Sequence, residues 1–436
     1  MADAIHISVH INSDQQSTYL TLPFLIPLGV ESLQLRYRYP RHPENHIAID
    51  YGVFTSQAEQ NIIDLGLVDP NGRQVGASGS DKTEIEISET SATPGYNPCP
   101  IHPGEWKIIV GAYKVAPGGV NVEYEISFAQ KHPRWLKGDL HTHTVASDGV
   151  HTLEELATKA KRHGLDFVAV TDHNQFASSE SMPEIPGVTM IPGVEWTHFN
   201  GHANFTGVDH PYDDPYVTGA ADEAATKFAS AHNSGALITI NHPFDPVCSF
   251  LFDINKLPFD CLEIWNGPMR ESNLKAVGFW HQLLCNGKKI PAVGGSDYHR
   301  DTPFIFLGGP TTYVFAESNG KSDIIAALRA GHSFITFAPG DPTCELTSGA
   351  AMMGDSVVHE KVNVVNLQVA GLATGDVVRV VTNSKSDVLF TAPSDGKVDL
   401  TYKVEGIGFV RAEVLRSFLP GVPMLPALIT NPIYFD

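Results

Sequence analysis

Histidine, aspartate and glutamate recur through the middle of this chain at spacings that suit cation binding. His141 and His143 stand two apart in Lys137-Gly138-Asp139-Leu140-His141-Thr142-His143. Successive side chains on a strand point to opposite faces, so both imidazoles lie on one face. Two imidazoles fixed on a rigid backbone can bind one cation at little entropic cost. Asp148, in Ser147-Asp148-Gly149, sits just past that strand end, where a loop can bring its carboxylate to the same place. In a chain with 20 His, a single His-x-His arises easily by chance. Recurrence is what argues for chemistry. His173 closes Phe167-Val168-Ala169-Val170-Thr171-Asp172-His173, and Glu195 closes the apolar run Ile191-Pro192-Gly193-Val194-Glu195. His202, His242 (in Asn241-His242-Pro243), Asp297 and His299 (in Ser296-Asp297-Tyr298-His299) follow.

Six His, two Asp and one Glu at strand ends are hard to explain as satisfied core polar groups. No Cys stands among them, and that donor set suits Zn, Mn or Fe with positions left open for water. His198 and His232 read as ordinary polar residues. Asp172 follows a strand and can either orient a ligand imidazole or cap a helix. Arg300, beside His299, and Arg270, after Trp265-Asn266-Gly267, are candidates to contact a substrate anion.

Positioning such residues requires strands that end at one face. From residue 132 to 339, strand-like segments alternate with helix-like ones, about seven β-α units in all, which points to a barrel rather than a short open sheet. In a parallel barrel the C-terminal strand ends converge on one face. Thr152-Leu153-Glu154-Glu155 has the form of a capping box, and Gly164 stands where that helix should stop. Helices are also expected over 222–233, 271–285 and 322–330, and one strand over 189–195.

Residues 1–131 carry short alternating segments separated by turns such as Asp69-Pro70-Asn71-Gly72, the pattern of an antiparallel, jelly-roll-like β-sandwich. Residues 340–436 lose the helical signal and read as a small C-terminal β-domain. The ending Thr430-Asn431-Pro432-Ile433-Tyr434-Phe435 reads as a strand folded back on the body. The fold class is therefore multidomain α/β plus β.

A chain of 436 residues with 42% hydrophobic and 18% charged residues has ample material for buried cores. The formal net charge of −20 argues against nucleic acid or an anionic membrane as the main partner. A phosphorylated substrate is still compatible, because bound cations invert the local field. The five Cys are scattered with no Cys-x-x-Cys pair. No basic-then-apolar start and no long apolar run occur, so a reduced, cytoplasmic setting is expected.

Taken together, His141-Thr142-His143, Ser147-Asp148-Gly149, Thr171-Asp172-His173, Gly193-Val194-Glu195, Gly201-His202, Asn241-His242-Pro243 and Ser296-Asp297-Tyr298-His299 resemble the PHP (polymerase and histidinol phosphatase) superfamily. With its flanking β-regions the chain is most similar to the carbamate-hydrolase-like branch. The resemblance covers residues 137 to 340. It implies a distorted (β/α)7 barrel holding two or three divalent ions. A first ion would lie on His141, His143, Glu195 and Asp297, and a second on Asp148, His173 and His299. Glu195 would bridge to a third, on His202 and His242. Many members carry His where this chain has Asp148, which makes that position harder and more anionic. The implied activity is hydrolysis by a metal-bridging hydroxide, with His242 or His299, where not fully committed to metal, as proton donor. Small phosphomonoesters or phosphodiesters are the first expectation and aryl carbamates or carboxylic esters the alternative. A non-catalytic binding protein would be expected to have lost ligands, and none of the nine is missing. The strong negative charge and the lack of a polymerase-like extension argue against a proofreading module.

Overall fold

A computed structural model describes residues 4–43, 49–50, 55–56, 59–213, 219–220, 222–340, 342–358, 363–406 and 408–436. The chain divides into two units, Met1–His132 and Pro133–Asp436.

In the first unit, two four-stranded antiparallel sheets share one core. One runs in the order Ile5–Ile11, Val120–Gln130, Val30–Arg38, Glu84–Ser88; the other runs Thr18–Ile26, Gly104–Lys114, Ile62–Val68, Gln74–Ser78. The strand Val120–Gln130 shows why: Val120, Val122, Tyr124 and Ile126 are buried, while Asn121, Glu123 and Glu125 between them face water. Period-two patterning on both sheets leaves Trp106, Ile108 and Leu35 fully enclosed between them.

The second unit combines α/β and all-β parts. One five-stranded sheet has the order Gly193–His198, Gly201–Thr206, Leu237–Ile240, Cys261–Asn266, Ala292–Gly295. A larger sheet begins Thr189–Ile191, Phe167–Ala169, Arg134–Asp139, Thr311–Ala316, Ser333–Thr336 and passes directly into the C-terminal strands Leu425–Thr430 and Gly408–Arg416. Residues beyond 339 are thus joined to the α/β part by a continuous ladder, with Phe334 paired to Thr430. Asn431 locks the junction. Its side chain accepts from the Ala292 N–H at 2.7 Å and donates to the Ala292 and Ser333 carbonyls at 2.9 and 3.0 Å.

The expected (β/α)7 barrel does not close as one hydrogen-bonded ring. The segment 189–195, expected as one strand, is two strands in different sheets, divided at Pro192, which has no N–H to donate to a ladder. At the other junction side chains replace the ladder: the Ser296 N–H donates to Asp139 Oδ1 at 2.9 Å, and the Gly294 N–H donates to Thr312 Oγ1 at 3.0 Å. Only isolated bridges cross the two gaps, His173 with Glu195 and Thr142 with Tyr298. Four α-helices are present among the described residues of this unit, Leu153–Arg162, Glu223–Asn233, Glu271–Cys285 and Lys321–Ala330, so the seven β-α units are not all formed. Instead, the hairpin at 198–201 and the irregular connection 296–310 take the place of helices.

Where local signals were strongest, the elements follow them. Thr152 Oγ1 accepts from the Glu155 N–H, and Glu155 Oε2 accepts from the Thr152 N–H at 3.0 Å, completing the capping box. The helix stops before Gly164, whose φ of +71° suits glycine. No helix among the described residues is long and apolar enough to cross a membrane.

Candidate metal centre

Strand ends at the two sheet junctions carry the polar residues inward. His141 follows Arg134–Asp139, Glu195 lies in Gly193–His198, His242 follows Leu237–Ile240, and Asp297 follows Ala292–Gly295. The chain must bend sharply to present two of these: His242 has φ +25° and Asp297 φ +53°, a region other residues than glycine avoid. Gly295 allows a close approach, since a Cβ there would fall 2.4 Å from the His141 Cβ.

All nine expected ligands meet in one network. His141 Nε2 lies 3.2 Å from Glu195 Oε1 and 3.5 Å from Asp297 Oδ1. His143 Nε2 lies 3.1 Å from Asp297 Oδ1 and 3.7 Å from Glu195 Oε2. His202 Nδ1 and His242 Nε2 stand 3.2 and 3.3 Å from Glu195 Oε1. On the more open side, Asp148 Oδ1 lies 3.0 Å from His299 Nε2, 3.8 Å from His173 Nε2 and 4.0 Å from His143 Nδ1. The imidazoles of His143 and His299 stack with ring centres 4.0 Å apart. The residues form overlapping groups of three or four whose donor atoms are close enough to share a cation: His143, Asp148, His173 and His299; His141, His143 and Glu195; His173, Glu195 and His202.

Proton placement leaves lone pairs aimed at one another. His141 Nδ1 donates to Glu263 Oε1 at 2.9 Å, and His299 Nδ1 donates to the Asp297 carbonyl at 2.9 Å. In a neutral imidazole the other nitrogen is then an acceptor. His141 Nε2, both ring nitrogens of His143 and Glu195 Oε2 are buried without a well-aligned hydrogen bond, although His173 Nδ1 stands 2.7 Å from Glu195 Oε2. Such orphans are rare in a folded interior, and a bound cation satisfies them.

Electrostatics tells the same story. Burial alone would raise the Glu195 pKa, but His141, His173 and His202 around it hold it well below the ordinary carboxylate range. Burial works against charge on His141, yet with no ion bound Asp297, Glu263 and Glu195 keep its pKa well above that of a free imidazole, so a cation at this site would take the place of the Nε2 proton. Asp297 is likewise held low, its burial outweighed by His141 and His143. The cluster concentrates charge in a largely buried site.

Other expected residues are placed differently. Asp172 does not hold an imidazole; its carboxylate accepts from the Thr144 N–H, the Thr144 hydroxyl and the Ser147 hydroxyl, each at 2.7 Å. It fastens the loop that carries Asp148. Replacing Asp172 with Ala leaves buried donors unpaired and should cost about 2–3 kcal/mol. A urea titration reads that loss, and hydrogen exchange should show 144–148 opening first; unchanged protection there would refute the role. Arg300 is exposed, its guanidinium 3.5 Å from the Asp148 carbonyl. Arg270 pairs with Asp245 at 3.3 Å and donates to Asn266 Oδ1 at 3.0 Å. His198 is stacked on Trp196, and His232 is on the exposed side of its helix; neither joins the cluster.

Four residues escaped the sequence reading. Glu263, Asn241 and Asp139 are buried beside the ligands. Asn241 Nδ2 donates to Glu195 Oε1 at 2.8 Å. Asp139 accepts from the N–H groups of His141, Ser296 and Gly308, and burial pushes its pKa up to about 6 against those hydrogen bonds. Cys248 Sγ lies 3.6 Å from His242 Nδ1, grouped with His202 and His242, so a thiol stands beside a donor set read as free of sulfur. An acid in the middle of the apolar run Cys261-Leu262-Glu263-Ile264-Trp265 was the available signal for Glu263.

Comparison with known proteins adds an independent line. Residues 139–233 match the PHP domain model. A probable phosphatase of Vibrio campbellii is 30% identical over 196 residues, 38% of this chain and 78% of that protein. An uncharacterized protein of Methanocaldococcus jannaschii is 28% identical over 153 residues, 31% of this chain and 85% of its own length. A solved two-domain protein of Bacteroides vulgatus, named for a PHP-like metal-dependent phosphoesterase, superposes with a TM-score of 0.39 at 17% identity. It covers 68% of this chain and 95% of that chain, a likeness too slight to bear on function.

Proposed function

The chain belongs to the PHP family, and on that premise we propose that it is a metal-dependent phosphoesterase acting on small phosphomonoesters or phosphodiesters. One observation carries the metal part: the buried donor atoms of His141, His143 and Glu195, without well-aligned hydrogen bonds, face one another across one site. The phosphoester part is supported by the family and by the probable phosphatase.

The proposed ion-holding sets are His141, His143, Glu195 and Asp297; Asp148, His173 and His299; and Glu195, His202 and His242. Divalent ions bound there would supply Lewis acidity and water that ionises near neutral pH. The protein's own groups do the rest. Asp148, His173 and His299 line the open edge, with side chains 57%, 28% and 26% exposed, so substrate enters past them. Arg300, on that edge, is available to an anionic oxygen. Of the two imidazoles expected to protonate a leaving group, His299 is the more accessible, because His242 is enclosed; His299 can serve there only while its Nε2 is not committed to an ion.

Metal analysis of gently purified protein should find about two to three equivalents of divalent transition metal per chain. p-Nitrophenyl phosphate mono- and diesters assayed beside 1-naphthyl methylcarbamate test the bond. Phosphoester turnover that disappears with chelator and returns with Mn²⁺ or Zn²⁺ is the expected result. Faster hydrolysis of the carbamate would move the assignment to carbonyl chemistry at the same site.

A further inference from the structure

Glu263 occupies a position that no ligand set includes. It is 2% exposed, in the strand Cys261–Asn266, and both of its oxygens are engaged. Oε1 accepts from His141 Nδ1 at 2.9 Å. Oε2 accepts from the His242 backbone N–H at 2.8 Å and from Asn266 Nδ2 at 3.2 Å. Asn266 in turn donates to Asp297 Oδ2 at 3.3 Å.

We propose that Glu263 is a positioning residue that couples two cation subsites, one built on His141 and one on His242. The proposal rests on the metal-dependent reading above. A carboxylate on Nδ1 fixes the imidazole tautomer, turns the Nε2 lone pair toward the site and raises its basicity. The same group does a second job through the main chain. His242 is held at φ +25°, a conformation that must be over-determined by its surroundings, and the bond from its N–H to Glu263 is one of the restraints. Space is also matched to the group, since a Cβ on Gly295 would lie 3.0 Å from Glu263 Oε1. Moving one carboxylate therefore disturbs donors that belong to two subsites 101 residues apart in sequence (His141 to His242).

Two variants separate this from a merely structural role. In Glu263→Gln the single amide oxygen can accept from His141 or from His242, not both. In Glu263→Asp the charge is kept but the reach is one methylene shorter. The full chain, stripped of metal, is titrated with Mn²⁺ and with Zn²⁺ by calorimetry, with circular dichroism of each metal-free protein as the folding control. Both variants should bind ions about 10–100-fold more weakly at two subsites. His202→Ala, by contrast, should weaken only the subsite holding His242 and leave the one holding His141 tight. The visible spectrum of the Co²⁺-loaded protein should change in both Glu263 variants, which a loss of stability alone would not produce. Wild-type affinity in either folded Glu263 variant, or weakening confined to one subsite, overturns the coupling. A wild-type protein that binds no ion at all overturns the metal reading instead, so the two failures are distinct.

Discussion

Glu195→Gln should abolish phosphoester turnover while leaving the chain folded. Glu195 is fully buried, and its oxygens lie 2.7–3.3 Å from His173 Nδ1, His141 Nε2, His202 Nδ1 and His242 Nε2. Among the described residues, no other touches so many of the proposed ligands. Glutamine fills the same volume and still has an oxygen to accept from Asn241, so packing survives. The negative charge does not, and the amide nitrogen turns a donor toward imidazole lone pairs. A loss on the order of 10³-fold in kcat/KM is expected, about 4 kcal/mol of transition-state stabilisation. Metal content should fall by at least one equivalent in the same preparation. A variant with wild-type metal content and turnover would remove Glu195 from the site.

Glu413→Ala should produce the largest loss of stability, far from the cluster in sequence and without any role in chemistry. Glu413 and Arg411 are 1% and 3% exposed on the strand Gly408–Arg416. Arg411 donates to Glu413 Oε1, and Arg379 Nε donates to Oε2 at 2.6 Å. Arg411 also lies over the Trp280 ring, 5.1 Å from its centre, which ties this strand to the helix Glu271–Cys285. Deleting the carboxylate strands a buried guanidinium, and such half-pairs cost about 3–5 kcal/mol. Urea unfolding at pH 7 reads the loss directly. Burial alone would raise the Glu413 pKa, but the two guanidinium groups hold it below its ordinary value. A depressed carboxylate contributes stability above its unfolded pKa and loses it as pH falls through the folded one. The gap between wild type and variant should therefore be full at pH 7 and narrow in acid. A gap that stays constant down to pH 3 would mean the ion pair is not its source.

Much of the site was legible because its signals are local. His141 and His143 share a face through the two-residue period of a strand, and the capping box at Thr152 is complete within four residues. Family motifs added the pairing of widely separated ligands. The barrel was the weaker expectation, since strand–helix alternation does not say whether the first and last strands will share a ladder. Pro192 shows the difficulty: it was visible inside an apolar run, yet only the fold reveals that its missing N–H divides two sheets. Asp172 was expected to orient an imidazole or cap a helix and does neither, because its partners, Thr144 and Ser147, depend on how a loop folds back.

Residue identity and order alone determined the donor chemistry: imidazole and carboxylate at strand ends, in a chain of formal net charge −20. Tertiary structure decided which lone pairs converge, and it recruited Glu263, Asn241, Asp139 and Cys248 around them. The reason is range. A side chain's preferred direction follows from its neighbours in sequence, whereas the contact between His141 and Glu263 spans 122 residues and exists only once two strands have packed.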